Sequence, residues 1–100
     1  MNLKSIRLYS QEFPVVESHP GMWSGNGMGR SSQINGILIN SGMPDEAKIT
    51  TLIHEVLHLI ADLNGLNVNN SESEIATLSN GLVDFLRSNK EAAALICGVK

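Results

Sequence analysis

An α+β fold, a small N-terminal β-sheet of about three strands packed on two or three helices, is predicted by three features of the chain. Residues before about position 40 alternate β-branched and polar side chains between glycine- and proline-marked turns. Residues 44–65 then switch to the 3.6-residue period of an amphipathic helix. Two further helical patterns follow with no return to strand, which segregates sheet from helices along the chain. A length of 100 residues suits one domain spanning 1–100 rather than two.

The elements come in order. "KSIRLYS" alternates, with Ile6, Leu8 and Ser10 on one side and Arg7 and Tyr9 on the other. "FPVVES" is short and β-branched, and Pro14 predicts an edge strand or a strand start. "HPGMWSGNGMGRSSQ", rich in glycine and serine, reads as a turn-rich loop. "INGILIN" reads as a strand, with Gly36 as a possible bulge. "PDEAKITTLIHEVLHLIADLNG" opens with Pro44 and two acids, as a helix N-terminus does. It closes on Asn64-Gly65, a left-handed C-cap pair. After the loop "LNVNN", "SESEIATLSNGLVDFLRSN" begins with the Ser71…Glu74 spacing of a capping box. Its expected apolar stripe is Ile75, Leu78, Leu82, Phe85 and Leu86. "KEAAALICGV" predicts a short third helix.

Composition narrows the function classes. The chain is 42% hydrophobic and 4% aromatic, so its core is modest and built from Leu, Ile and Val. A bound metal would add useful stability to a domain this small. With a net charge of −3 and Lys4/Arg7 as the closest basic pair, no nucleic-acid face is expected. Cys97 is the sole cysteine, which rules out an intrachain disulfide and suits a reducing compartment. The N-terminal residues show no continuous apolar segment of a signal peptide, and no run of about 18 apolar residues occurs. No membrane association is expected, and a cytoplasmic location is.

The stretch "TTLIHEVLHLIADLNG" carries two of the three histidines. On a helical wheel with His54 at zero, His58 lies near 40°, Asp62 near 80° and Glu55 near 100°. Leu52, Ile53, Val56, Leu59, Ile60 and Leu63 fall between about 140° and 260°. The helix thus packs by a wide apolar sector, and the histidines project from another side, one turn apart. Residues i and i+4 are about 6 Å apart along the axis, so two Zn–N bonds of about 2.0 Å can converge on one ion. Glu55, beside the first ligand, can reach a water held by that ion. This is H-E-x-x-H, two ligands and a general base. Because the motif is embedded in apolar residues, its polar groups need partners, which favours a metal over two solvated histidines.

A zinc site needs a third protein ligand. A metzincin would have histidine at position 64, where Asn64 stands, and glycine where Ala61 stands. His19 lies in the glycine-rich loop. Asp62 suits a hydrogen-bond acceptor for a ligating histidine, or plain helix surface. Glu72 and Glu74 remain, at the start of the second helix, which returns antiparallel to the first. Glu74 has the capping box as its alternative role, and Glu72 has the favourable first-turn position of an acid.

"TTLIHEVLHLI" followed by "SEIATLSNGL" resembles the small phage and prophage zinc metallopeptidases related to the ImmA/IrrE group, within the gluzincins. The likeness covers roughly residues 29–87 and is most specific at 54–58. It implies a zincin-like minimal core in which His54 and His58 ligate Zn²⁺ and Glu55 is the base. Glu74, followed by small and apolar residues, matches the third ligand, with Glu72 in reserve. The appended helical or DNA-binding regions of larger members are not expected here.

The expected activity is hydrolysis of peptide bonds in a protein or peptide substrate. Zinc lowers the pKa of a bound water towards about 7, and Glu55 takes the proton and hands it to the leaving amine. His19, Tyr9 and Arg30 are candidates to stabilise the oxyanion, and an exposed sheet edge suits an extended substrate. The alternatives are a non-catalytic zinc-binding phage regulatory or interaction module, and a zinc hydrolase with another substrate. Glu55 favours catalysis, because a purely structural site needs no base.

Overall fold

The structure, a computed structural model, describes residues 1–19, 29–32, 36–66 and 72–98. Its architecture is α+β. Strands β1 (Ser5–Leu8), β2 (Gln11–Ser18), β3 (Gly29–Ser32) and β4 (Gly36–Asn40) precede helices α1 (Asp45–Leu63), α2 (Glu72–Ser88) and α3 (Lys90–Ile96). The sheet runs in the order β1-β2-β4-β3. β1–β2 and β3–β4 are antiparallel, and β2–β4 is parallel.

A two-residue turn joins β1 to β2. Tyr9 and Ser10 have φ of 51° and 66°, the left-handed pair of a type I′ turn, whose twist matches the flanking strands. Along β2, Phe13 and Val15 are buried while Pro14 and Val16 are exposed, the period-2 pattern of a half-covered sheet. Ile37 and Ile39 on β4 continue the buried face, and Leu59 of α1 closes on it. Leu52, Val56 and Leu63 flank Leu59 along the same side of α1, as the wheel requires.

The sheet differs from expectation in two places. β2 is an inner strand, although Pro14 predicts an edge. β2 pairs with β1 only as far as Pro14 and with β4 only from Val15. Val15 N–H donates to Lys4 C=O on the β1 side, so the missing N–H of Pro14 falls on the opposite side, ahead of the β4 ladder. There Gly36, with φ +77°, lets β4 start against the proline ring; a Cβ on Gly36 would lie 2.7 Å from Pro14 Cδ. The second difference is a fourth strand. β3 lies in the segment expected to be a loop, because "GRSS" contains no apolar residue to mark a strand.

Helix α1 is delimited by local chemistry. Asp45 and Glu46 occupy its first turn, where acids oppose the helix dipole favourably. At its end Leu66 N–H donates to Ala61 C=O and Gly65 N–H to Asp62 C=O. With Gly65 at φ +67°, this is a Schellman stop. Helix α2 lies antiparallel to α1: Arg87, in its last turn, pairs with Glu46 at 2.8 Å, while Glu72, in its first, meets His58. Ser71, half of the expected capping box, and residues 34–35 of "INGILIN" lie outside the described residues. Among the described residues no helix is long and apolar enough to cross a membrane.

Candidate metal centre

Three sides of α1 are occupied differently. One faces the sheet through Leu52, Val56, Leu59 and Leu63. A second packs on α2. Between α2 and β3 the side chains of His54 and His58 emerge, 18% and 12% exposed. Glu72 closes over them from the first turn of α2.

The three groups converge. His54 Nε2 and His58 Nε2 are 3.2 Å apart. Glu72 Oε2 is 3.1 Å from His54 Nε2, and Oε1 is 2.8 Å from His58 Nε2. Two Zn–N bonds of about 2.05 Å at a tetrahedral angle would set their nitrogens about 3.3 Å apart. The observed separation matches that span, with both rings presenting the same nitrogen. His54, His58 and Glu72 form a group that could hold a metal ion. Two imidazoles and a carboxylate are the donor set of hydrolytic zinc sites that keep one position open.

The carboxylate that the fold brings to the histidines is Glu72, where the resemblance favours Glu74. The reason is the rotation of α2. Its buried residues are Ile75, Ser79 and Val83, and Glu72 is three residues before Ile75 and seven before Ser79, on the same face. Glu74 is about 200° round the helix from Glu72. It is exposed, on the side of Leu78, which is itself 62% exposed. Of the expected stripe Ile75, Leu78, Leu82, Phe85 and Leu86, Ile75 is buried and Leu86 half-buried, while Leu78, Leu82 and Phe85 are exposed. Ala76 and Ser79 look towards the His54 side of α1 across the cleft between the two helices, and the Ser79 hydroxyl donates back to Ala76 C=O, so its burial costs no unpaired group.

Glu55 is placed differently from the histidines. The wheel sets it in the polar sector, but β3 covers it, and it is only 6% exposed. Burial raises its carboxyl above the ordinary carboxylate range. A hydrogen bond from the Ser31 hydroxyl and the proximity of His54 and His58 act in the opposite direction, while Glu72 adds to the rise.

Two clefts meet at this group. One, of about 360 Å³, runs between β3 (Gly29, Arg30, Ser31) and α1 (Glu55, His58, Asp62), with Glu72 at its rim. The other, of about 790 Å³, runs between α1 and α2 and shares Gly29, Glu55 and Glu72 with the first. Its walls are small residues, among them Ala47, Thr50, Ala76 and Ser79.

Of the other residues singled out from the sequence, Arg30 and Asp62 reach the first cleft. Tyr9 does not line either cleft; its hydroxyl accepts a hydrogen bond from Asn64 Nδ2 at 2.9 Å, beside the end of α1. His19, just after β2, does not line them either. Ser31 and Gly29 are the residues that sequence reasoning missed. Comparison of the chain with protein-family models, with curated proteins and with solved structures gives no significant match.

Proposed function

We propose that the protein is a zinc-dependent metallopeptidase of the minimal zincin kind that its H-E-x-x-H helix resembles. His54, His58 and Glu72 would hold the ion, and Glu55 would be the general base. The observation that carries the reading is the buried Glu55 carboxylate beside three converging donors, at the meeting of two open clefts. A metal held only for the fold asks for neither a base nor an approach.

Bound zinc would supply a Lewis acid that acidifies water and polarises a carbonyl oxygen. The rest is the work of the chain. Glu55, its proton affinity raised by burial, accepts a proton from the attacking water and returns it to the leaving amine. Arg30, on the cleft wall, directs positive charge towards the oxygen that becomes negative. β3 is the edge strand next to α1, so its outer backbone groups can pair with an extended peptide and lay it across the clefts.

The test is hydrolysis of fluorescein-labelled casein by the zinc-loaded protein. Glu55→Gln should keep the metal and the fold and lose about 10²- to 10⁴-fold in rate, the usual contribution of a positioned base. Casein left intact by the wild type, or cleaved as fast by Glu55→Gln, would refute the proposal.

A further inference from the structure

β3 and α1 meet in a two-by-two match. Gly29 and Ser31, two residues apart, share the face of β3 that looks onto α1. Thr51 and Glu55, one turn apart, share the facing side of α1, and both are buried. At Gly29 the contact leaves no room. A Cβ there would lie 2.6 Å from Thr51 Cγ2, 3.0 Å from Leu38 O and 3.3 Å from Glu55 Cγ. One position further along the same face, the Ser31 hydroxyl donates to the Glu55 carboxylate. The strand cannot slide to make room, because Gly29 pairs with Ile39 and Ser31 with Ile37 in the β4 ladder, and both isoleucines are fully buried.

We propose that Gly29 is a positioning residue: its missing side chain lets β3 seat directly on Thr51 and Glu55, which brings Ser31 into reach of the base and fixes the carboxylate. The inference rests on Glu55 as the base. It adds the reason why a glycine stands at this point of a strand, where glycine ordinarily weakens the element and marks a close approach of another group. It also explains why a strand of Gly, Arg and two serines exists here at all. Its inner face is shaped to a helix and a carboxylate rather than to a hydrophobic core.

The consequence is a steric switch that a second substitution can reverse. Gly29→Ala must push β3 off α1 or displace the Thr51 methyl and the Glu55 stem. Thr51→Ser removes the Cγ2 that makes the closest contact and keeps the hydroxyl. The single Gly29→Ala variant should therefore lose the Ser31–Glu55 hydrogen bond, and the Gly29→Ala/Thr51→Ser pair should regain it. Misplacement of a reacting group by about 1 Å costs on the order of 10²-fold in rate, so kcat on casein should fall about tenfold to a hundredfold in the single variant and recover in the pair. KM should change little. Zinc affinity, measured by calorimetric titration with zinc chloride, should be unchanged in all variants, because β3 carries none of the three ligands.

The experiment combines crystal structures of the wild type, Gly29→Ala, the double variant and Ser31→Ala with these titrations and rates. Ser31→Ala adds no atom and serves if Gly29→Ala does not fold; its Glu55 carboxylate should leave its wild-type position. A Gly29→Ala or Ser31→Ala structure with the carboxylate unmoved would overturn the proposal, as would a double variant no closer to wild type than the single one. Casein untouched by the wild-type protein would refute the peptidase reading instead, and the carboxylate positions would still decide the role of Gly29.

Discussion

Removing the Glu72 carboxylate separates the two glutamates at the start of α2 by a measurement that needs no substrate. Zinc that binds the folded chain alone stabilises it by about 4.1 kcal/mol at a thousand times its dissociation constant. For a domain of this size each kcal/mol is worth about 4–8 °C, so wild type should melt roughly 16–33 °C higher with zinc than without. Glu72 supplies one of three donors, within 3.1 Å of both imidazole nitrogens. Even partners outside the ligand set typically support tenfold to a hundredfold in affinity. Losing Glu72 should cost at least that, about 1.4–2.7 kcal/mol. The zinc-induced rise should then shrink by roughly 6–22 °C. Without zinc the Glu72→Ala variant should melt close to wild type, because the side chain is 75% exposed. Glu74→Ala should keep the full zinc-induced rise. The assay is thermal unfolding by circular dichroism in chelator-buffered zinc. A Glu74→Ala protein that loses the rise, beside a Glu72→Ala protein that keeps it, would refute the rotation of α2 and the ligand set together.

Further outcomes follow from Glu55, the core and the first hairpin. In metal-free protein, burial holds the Glu55 carboxyl protonated to higher pH than in the unfolded chain. Its contribution is fully present below the ordinary carboxylate range and is lost as pH rises through the folded value; Glu55→Gln should therefore gain stability over wild type at pH 7.5 and not at pH 4, as read by urea denaturation. Leu59 is 1% exposed at the centre of the core, and Leu59→Ala should destabilise by about 2–5 kcal/mol in the same assay. Ser10, with φ of 66°, should accept glycine with a gain of about 0.5–1 kcal/mol, since an L side chain in that region is strained; a loss of stability would contradict the type I′ turn.

The parts of the molecule that were legible in the sequence are those set by local chemistry. The acids of the first turn and Gly65 bracket α1, and the alternation about Phe13 and Val15 marks β2. The spacing of His54 and His58 puts both rings on one side of a helix whatever lies around it. Which carboxylate meets the histidines was not legible in that way, because it depends on how α2 is rotated about its own axis. The expected apolar stripe of Ile75, Leu78, Leu82, Phe85 and Leu86 leaves both Glu72 and Glu74 at its rims, and Glu74 is favoured by the resemblance of the residues that follow it. In the structure α2 buries Ile75, Ser79 and Val83, with Glu72 on the same face, and leaves Leu78, Leu82 and Phe85 exposed. β3 was hidden for a related reason: its inner face meets Thr51 and Glu55, so it carries glycine and serine in place of the alternating apolar residues that signal a strand. Pro14 misled in the opposite sense, since the sheet changes partner at the residue that lacks an N–H.

The most direct test of the account is a crystal of the protein grown with zinc and measured on both sides of the zinc absorption edge. An anomalous peak about 2.0–2.2 Å from His54 Nε2, His58 Nε2 and a Glu72 carboxylate oxygen is the result predicted. A zinc-saturated crystal with no peak at these atoms, or with Glu74 in place of Glu72, would contradict it.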